Sequence, residues 1–475
     1  MATAMEDVHV HLARDLKTGM MIDDMSCKMN AGIRVDRSYN YDRLIEALIS
    51  PDHVAQAAVA TRIRISLCGD QPPIQDALDS GMVPILVSLL SDPRTLTPTK
   101  LECVWILTNL ASGTSSQSRV LVSNGVVPAL VKCMEHKDVT VGSQAIWALA
   151  NLAGDSEHLR DVVIKGEAVR NLIRLSHTVP IASSPDLNSK LYENMAFCIM
   201  NLCRWKTSCK NTAHQLICMI PTLFHMVTAC TNETALINAC TAIATLTDGK
   251  HTDSIGDAVI KTGVQHVLVE LLAHKNTEVI VWALRAIGNM LADFDWLPES
   301  KSGLIPAIRT ILSDAKHPKL LWKYACLVAS NITARHHRNI QAVIDGNLMQ
   351  SVLSTFNVVK DDDDDVVRRE ATWVICNSIH MGTDAQRRYL LRQGTLPLLL
   401  NMLARSDVKL VEEILSTLDC LMSESKDDVV TAFTVRDAIS RNPPMLSTLV
   451  AVTRHPSAPI AAKATRLLAS FYAGR

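Results

Sequence analysis

The chain has 475 residues with 47 basic and 48 acidic side chains, a formal net charge of −1 that gives no global positive field for a nucleic-acid backbone. With 48% hydrophobic and 20% charged residues it holds enough apolar material for a continuous core, which excludes wholesale disorder. Aromatics are scarce at 4%, yet Trp (7) outnumbers both Tyr (6) and Phe (6).

At the N-terminus, MATAMEDVHVHLARD places polar and charged residues where a signal peptide has its apolar segment. Residues 1–44 read as a divergent or disordered segment. In it Arg14, Lys17, Lys28, Arg34, Arg37 and Arg43 are dispersed, with no adjacent basic pair. From near Tyr41 a repeat begins, and residues 45–475 are assigned to one repeat domain. Turn glycines recur at Gly81, Gly125, Gly166, Gly263, Gly303, Gly346 and Gly394, about 40 to 48 residues apart apart from one double gap that contains Pro221. Four of them are followed three residues later by proline (Pro84, Pro128, Pro306, Pro397). That pairing ends one helix in a left-handed residue and starts the next with a preset φ.

A second ladder stands further along each unit: Asn109, Asn151, Asn201, Asn289, Asn331 and Asn377, with Thr245 where a seventh would fall. The period fits armadillo or HEAT units and excludes the shorter helical hairpins. No alternating strand pattern persists between the turns. The expected fold is therefore all-α: an armadillo-repeat, right-handed superhelical solenoid of about nine to ten units, each covering its neighbour's apolar face.

In the stretch Val141 to Ala153, Ala145, Ala148, Leu149 and Leu152 form the apolar stripe of a helix. Trp147 and Asn151 lie one turn apart on another face, with Ser143 a turn before and Asp155 a turn after. The same step recurs at Trp105/Asn109 and Trp373/Asn377. Asn is a poor helix-interior residue, so its repetition beside a large ring needs a reason beyond folding. A ladder of amides can donate to and accept from the backbone of an extended peptide. Parallel Trp rings can flank long alkyl side chains and hold their cations, at about 0.5–2 kcal/mol each. Rim carboxylates at Asp155, Asp248 and Glu370 select Lys or Arg. Trp205, Trp282, Trp296 and Trp322 fall outside this ladder and read as packing residues.

The residues Glu102–Thr114, Gln144–Asp155, Asn201–Arg204, Ala283–Asn289, Ser330–Thr333 and Gln71–Ile74 carry a resemblance to importin α (karyopherin α), covering roughly residues 45 to 475. The resemblance implies an adaptor for lysine/arginine-rich nuclear localisation signals, bound extended in two sites for protein import. The major site it implies uses Trp105, Asn109, Gly113, Gln144, Trp147, Asn151, Asp155, Phe197 and Asn201, with Asp155 taking the key lysine. The minor site uses Arg285, Asn289, Asn331, Glu370, Trp373 and Asn377. Phe197 stands in place of a Trp, Leu327 removes a wall of the minor site, and Thr241 and Thr245 replace larger residues. A serviceable major site and a weakened minor one are expected.

The partners implied are basic cargo proteins, importin β and an export receptor at the C-terminal repeat, in cytoplasm and nucleus. Family members carry an arginine-rich importin-β-binding segment that is not recognisable in residues 1–44. Without it the groove lacks self-inhibition, and an importin-α-like scaffold acting outside the import cycle is the alternative reading.

No nucleic-acid or membrane partner is expected. The longest apolar-leaning run, Leu216 to Cys230, contains Pro221, Thr222 and His225 and is too short to span a bilayer. The 13 cysteines include no C-x-x-C pair and read as reduced core residues. Cys198, Cys203, Cys209, His214 and Cys218 match no zinc spacing, so no metal is expected. The run Asp361–Asp365 reads as a solvated loop, with attraction of basic cargo as the sharper option. No catalytic or cofactor motif is present; the chain is not expected to be an enzyme.

Overall fold

The computed structural model describes residues 41–69, 71–179, 185–206, 209–249, 253–293, 303–358, 365–403, 408–422 and 429–473. Most of the N-terminal segment, Asp361–Asp364 and Trp296 lie outside the described residues. The chain divides into two compact units, Met1–Lys206 with His214–Thr222, and Thr207–Ala213 with Leu223–Arg475. Among the described residues all regular structure is helical, as the absence of strand patterning predicts.

Two short helices and one long helix make up the common repeat. The long ones in the first unit are α1 (His53–Ser66), α2 (Thr97–Leu110), α3 (Val139–Asp155) and α4 (Pro185–Cys203). In the second unit they are α5 (Glu233–Leu246), α6 (Thr277–Asp293), α7 (Lys319–Thr333), α8 (Asp365–Met381), α9 (Val408–Met422) and α10 (Ala458–Ala473). Their apolar stripes form the core: Ala145, Ala148, Leu149 and Leu152 of α3 are fully buried. Cys103, Cys198 and Cys203 lie in the core of the first unit and Cys240 and Cys376 in that of the second, where burial pushes each thiol up to about 12.

The turn glycines divide into two kinds. Gly81, Gly125, Gly263, Gly303 and Gly394 have φ of 74–80°, in the left-handed region; Gly303 starts the helix Leu304–Ser313, and the other four join two short helices. Gly166 and Gly346 do not: the left-handed residue there is the following one, Glu167 (φ 68°) or Asn347 (φ 55°). A Cβ on Gly166 would meet Val127 Cγ1 at 2.7 Å, and one on Gly346 would meet Ile305 Cγ2 at 2.6 Å. Close packing on the preceding repeat, rather than φ, requires glycine at these two positions.

The double gap in the glycine series has a physical cause as well. Lys210–Ala229 is one helix of 20 residues with Pro221 inside it. Where other repeats turn, this one continues as a single helix, at the cost of the hydrogen bond that a proline cannot donate.

Four of the six ladder asparagines tie their helix to the one before. Asn151 Nδ2 donates to Thr108 O (3.2 Å), Asn289 to Ala244 O (2.8 Å), Asn331 to Gly288 O (2.9 Å) and Asn377 to Ser330 O (3.1 Å). In every case the acceptor stands one residue ahead of the preceding rung. These bonds, worth about 1 kcal/mol each, give the mid-helix Asn a structural reason that offsets its poor propensity.

Candidate functional site

In the first unit, Trp105 and Trp147 are half-buried on α2 and α3, while Phe197 and Asn201 on α4 are largely buried. The rings therefore stand on a face distinct from the apolar stripe, as their spacing predicts. Asn109 and Asn151 are half-buried beside them. One N–H of Asn151 is committed to the α2 backbone, and Asn109 Nδ2 lies 3.8 Å from Cys68 Sγ. The carbonyl oxygen and second N–H of each amide are the groups able to meet a ligand, so the expected use of both halves is restricted by the fold itself. Asn201 sits against Gly154, where a Cβ would come within 2.8 Å of its Oδ1.

Asp155 is the last residue of α3, at the negative end of the helix, where a carboxylate is poorly matched and a cation is favoured. Ser115 Oγ donates to Asp155 Oδ1 at 2.9 Å. The adjoining helix end is closed by Trp205 Nε1 on Ala153 O (3.0 Å) and Arg204 Nη1 on Gly154 O (3.4 Å). Trp205 is thus a cap rather than core filler. Arg160, only 1% exposed, donates in turn to Trp205 O (3.1 Å) and Lys206 O (3.3 Å) and pairs with Asp161 at 2.7 Å.

Two expected site residues have structural duties. Gln144 is buried, and its Nε2 donates to Thr108 Oγ1 at 2.9 Å. Gly113 makes room for Gln117, whose Oε1 accepts from Thr114 N at 2.9 Å in a capping box. Gly113 also lines a pocket of about 570 Å³ with Pro72, Pro73, Gln75, Asp76 and Gln117.

The sequence reading missed the cations that the chain lays on its own rings. The Arg64 guanidinium lies 4.4 Å from the Trp105 ring centroid and pairs with Glu102 at 2.6 Å. Lys190 Nζ lies 5.3 Å from the Trp147 centroid and pairs with Glu193 at 2.9 Å. Both reach across from a neighbouring helix, which the spacing along the ring's own helix does not reveal.

In the second unit the expected residues fall on α6, α7 and α8. Asn289, Trp373 and Asn377 are half-buried, and Asn331 is buried. Arg285 is buried, 4.3 Å from the Trp282 centroid and 5.7 Å from that of Tyr324. Burial lowers its pKa, while Tyr324 and Asp248 oppose that shift. Trp282, expected to be a packing residue, is therefore part of this face; Trp322, 4% exposed with Nε1 on Ile311 O (3.1 Å), is indeed core. Lys323 is 5.2 Å from the Tyr324 centroid, and burial lowers its pKa against the pull of Glu370. Leu327 takes the wall position before Asn331. Thr241 and Thr245 bond back into their own helix, on Ile237 O (2.7 Å) and Thr241 O (2.8 Å).

Among the described residues no group of three or more His, Cys, Asp or Glu is placed to hold a metal ion, and no helix is long and apolar enough to cross a membrane.

The Armadillo/beta-catenin-like repeat model matches residues 114–154. An engineered protein of known structure superposes with a TM-score of 0.75 over 91% of this chain and 98% of its own, at 21% identity, which supports the fold alone. Importin subunit alpha-1b of Oryza sativa subsp. japonica is 30% identical over 385 residues, covering 80% of this chain and 68% of that protein. Importin subunit alpha-8 of Arabidopsis thaliana is 32% identical over 385 residues, 80% of each chain. Both relatives are importin subunits, neither an enzyme. With the helical repeat, the Asn ladder and these likenesses in agreement, the chain belongs to the importin α family.

Proposed function

We propose that the chain is a nuclear import adaptor that binds lysine/arginine-rich localisation signals, in extended conformation, along the ladder face of the first unit. The observation that carries this reading is the pairing of half-buried Trp105 and Trp147 with Asn109 and Asn151, closed by Asp155 at the negative end of α3. The rings flank the alkyl stems of the bound side chains, the amides meet the peptide backbone, and Asp155 takes one ammonium. The second unit carries its own cations on Trp282 and Tyr324 and lacks the wall at Leu327, so it binds the same peptide more weakly. Shuttling between cytoplasm and nucleus, with importin β and an export receptor as further partners, belongs to the same reading.

Titration of a labelled lysine-rich peptide into wild type and Asp155→Lys tests it. Charge reversal should weaken binding at least about 100-fold, since it places a like charge against the ligand cation. Binding indifferent to the reversal would remove the site assignment. A parallel assay with importin β separates the import adaptor from a scaffold outside the import cycle, a reading favoured by the dispersed basic residues between Arg14 and Arg43.

A further inference from the structure

We propose that Lys190 is an internal competitor for the Trp147 wall: it stands over the ring that a cargo lysine would use, and a basic peptide binds there only by moving it aside. The proposal rests on the groove reading above and adds the regulation of its central wall.

Two internal cations in the first unit differ in how firmly they are held. Arg64 has a side chain 8% exposed and is bound to Glu102 at 2.6 Å, so it is a fixture of the Trp105 wall. The Lys190 side chain is 52% exposed and is held by Glu193, itself 22% exposed, at 2.9 Å. A pair with one partner so exposed contributes little, and a cation beside a half-buried ring adds only modestly to it. Lys190 is therefore displaceable, whereas Arg64 is not.

Position on α4 places Lys190 in the ladder itself. Lys190, Asn194, Phe197 and Asn201 succeed one another at steps of four, three and four residues, the spacing of one helical face. Asn194 Nδ2 donates to Ser143 O (3.1 Å) and Ser143 Oγ (2.9 Å), and Ser143 lies one turn before Trp147. This bond fixes the register that sets Lys190 over the Trp147 ring. Eleven residues ahead of the other ladder asparagines stand Pro98, Thr140, Glu278, Leu320 and Val366. None is basic, so the lysine belongs to this repeat and not to the general pattern.

The occupant of such a site is a primary ammonium on a flexible alkyl stem, the chemistry of a lysine-rich segment. A ligand lysine must match the ring contact that Lys190 already makes. Peptides with several adjacent cations gain neighbouring contacts that compensate, and isolated lysines do not. Lys190 thus raises the threshold of basic charge for binding.

Fluorescence anisotropy with a labelled lysine-rich peptide tests this on wild type, Lys190→Ala, Lys190→Met, Arg119→Ala and Asp155→Lys, at about 0.15 M and about 0.5 M salt. Both Lys190 variants should bind about two- to five-fold tighter than wild type, at both salt concentrations, because the gain is a local contact. Arg119, exposed on the helix Ser115–Ser123, controls for charge alone. A gain that vanishes at the higher salt, or that Arg119→Ala reproduces, overturns the competitor role. So does unchanged or weaker binding by the Lys190 variants where Asp155→Lys still abolishes it. Binding insensitive to Asp155→Lys, or none by any variant, overturns the groove reading itself.

Discussion

The two units build the same ladder and furnish it differently. In the first, the cations over Trp105 and Trp147 come from neighbouring helices, and one of them, Lys190, is half in solvent. In the second, Arg285 is buried across Trp282 and Tyr324, and Lys323 lies beside Tyr324 with its own charge resisted by burial. Repetition of Asn and aromatic residues therefore does not by itself define a site for a basic ligand. What differs is whether the charge over the ring can be exchanged. The cation over Trp147 can be displaced by a ligand, whereas Arg64 beside Trp105 and Arg285 beside Trp282 are fixed parts of their walls.

The most severe way to break the comparison is to remove the support of the first site alone. Arg160→Met takes the buried guanidinium from the carbonyls of Trp205 and Lys206 and from the Asp161 carboxylate. Urea unfolding should show a loss of about 3 kcal/mol, and an unchanged midpoint would show that Arg160 is not structural. At the site, Trp147→Ala should weaken the peptide about ten-fold, while Trp373→Ala in the second unit costs about two-fold or less. Equal losses measured by anisotropy would erase the distinction between the two ladders. Leu327→Trp runs the comparison in reverse. It restores a wall before Asn331, and calorimetric titration should then resolve a second, weaker binding event, about three-fold tighter than in wild type.

The smallest effect concerns the contact between α8 and α9 in the second unit. His380 Nε2 lies 3.1 Å from Thr417 Oγ1 and 3.2 Å from Glu413 Oε1. Hydrogen bonds from its ring to Cys420 and Glu413 raise the imidazole from its ordinary 6.5 to about 9, against the effect of burial. A raised folded-state value means that the proton is held more tightly in the native protein. Its stabilisation is complete below about pH 6.5 and fades as pH climbs through about 9. Thermal unfolding of wild type should therefore decline modestly between pH 7 and pH 9, and His380→Gln should flatten that decline. A parallel decline in both proteins would assign the effect elsewhere.

Much of the fold was legible in residues whose role is local. Turn glycines and the asparagine period marked the repeat because each unit obeys the same helix-ending and helix-starting chemistry. The exposure of Trp105 and Trp147 followed from their offset from the apolar stripe. What stayed hidden was set between repeats. Gly166 and Gly346 look like left-handed turns, yet they are needed for contact with Val127 and Ile305. The double gap in the glycine series hides a single helix, with Pro221 inside it. The ladder amides look like ligand groups until the preceding helix supplies an acceptor for four of them. Lys190 alone left a usable trace, its helical spacing from Asn194 and Phe197.

Those amide bonds have a metrical consequence. Asn331 and Asn377 are four residues further apart in sequence than Asn289 and Asn331, yet each reaches the residue just ahead of the previous rung, Ser330 in one case and Gly288 in the other. The extra residues are absorbed away from the ladder, and the step between rungs is measured by side chains rather than by chain length. Loops on the opposite edge can lengthen or shorten without changing the pitch at which this surface meets successive residues of another polypeptide.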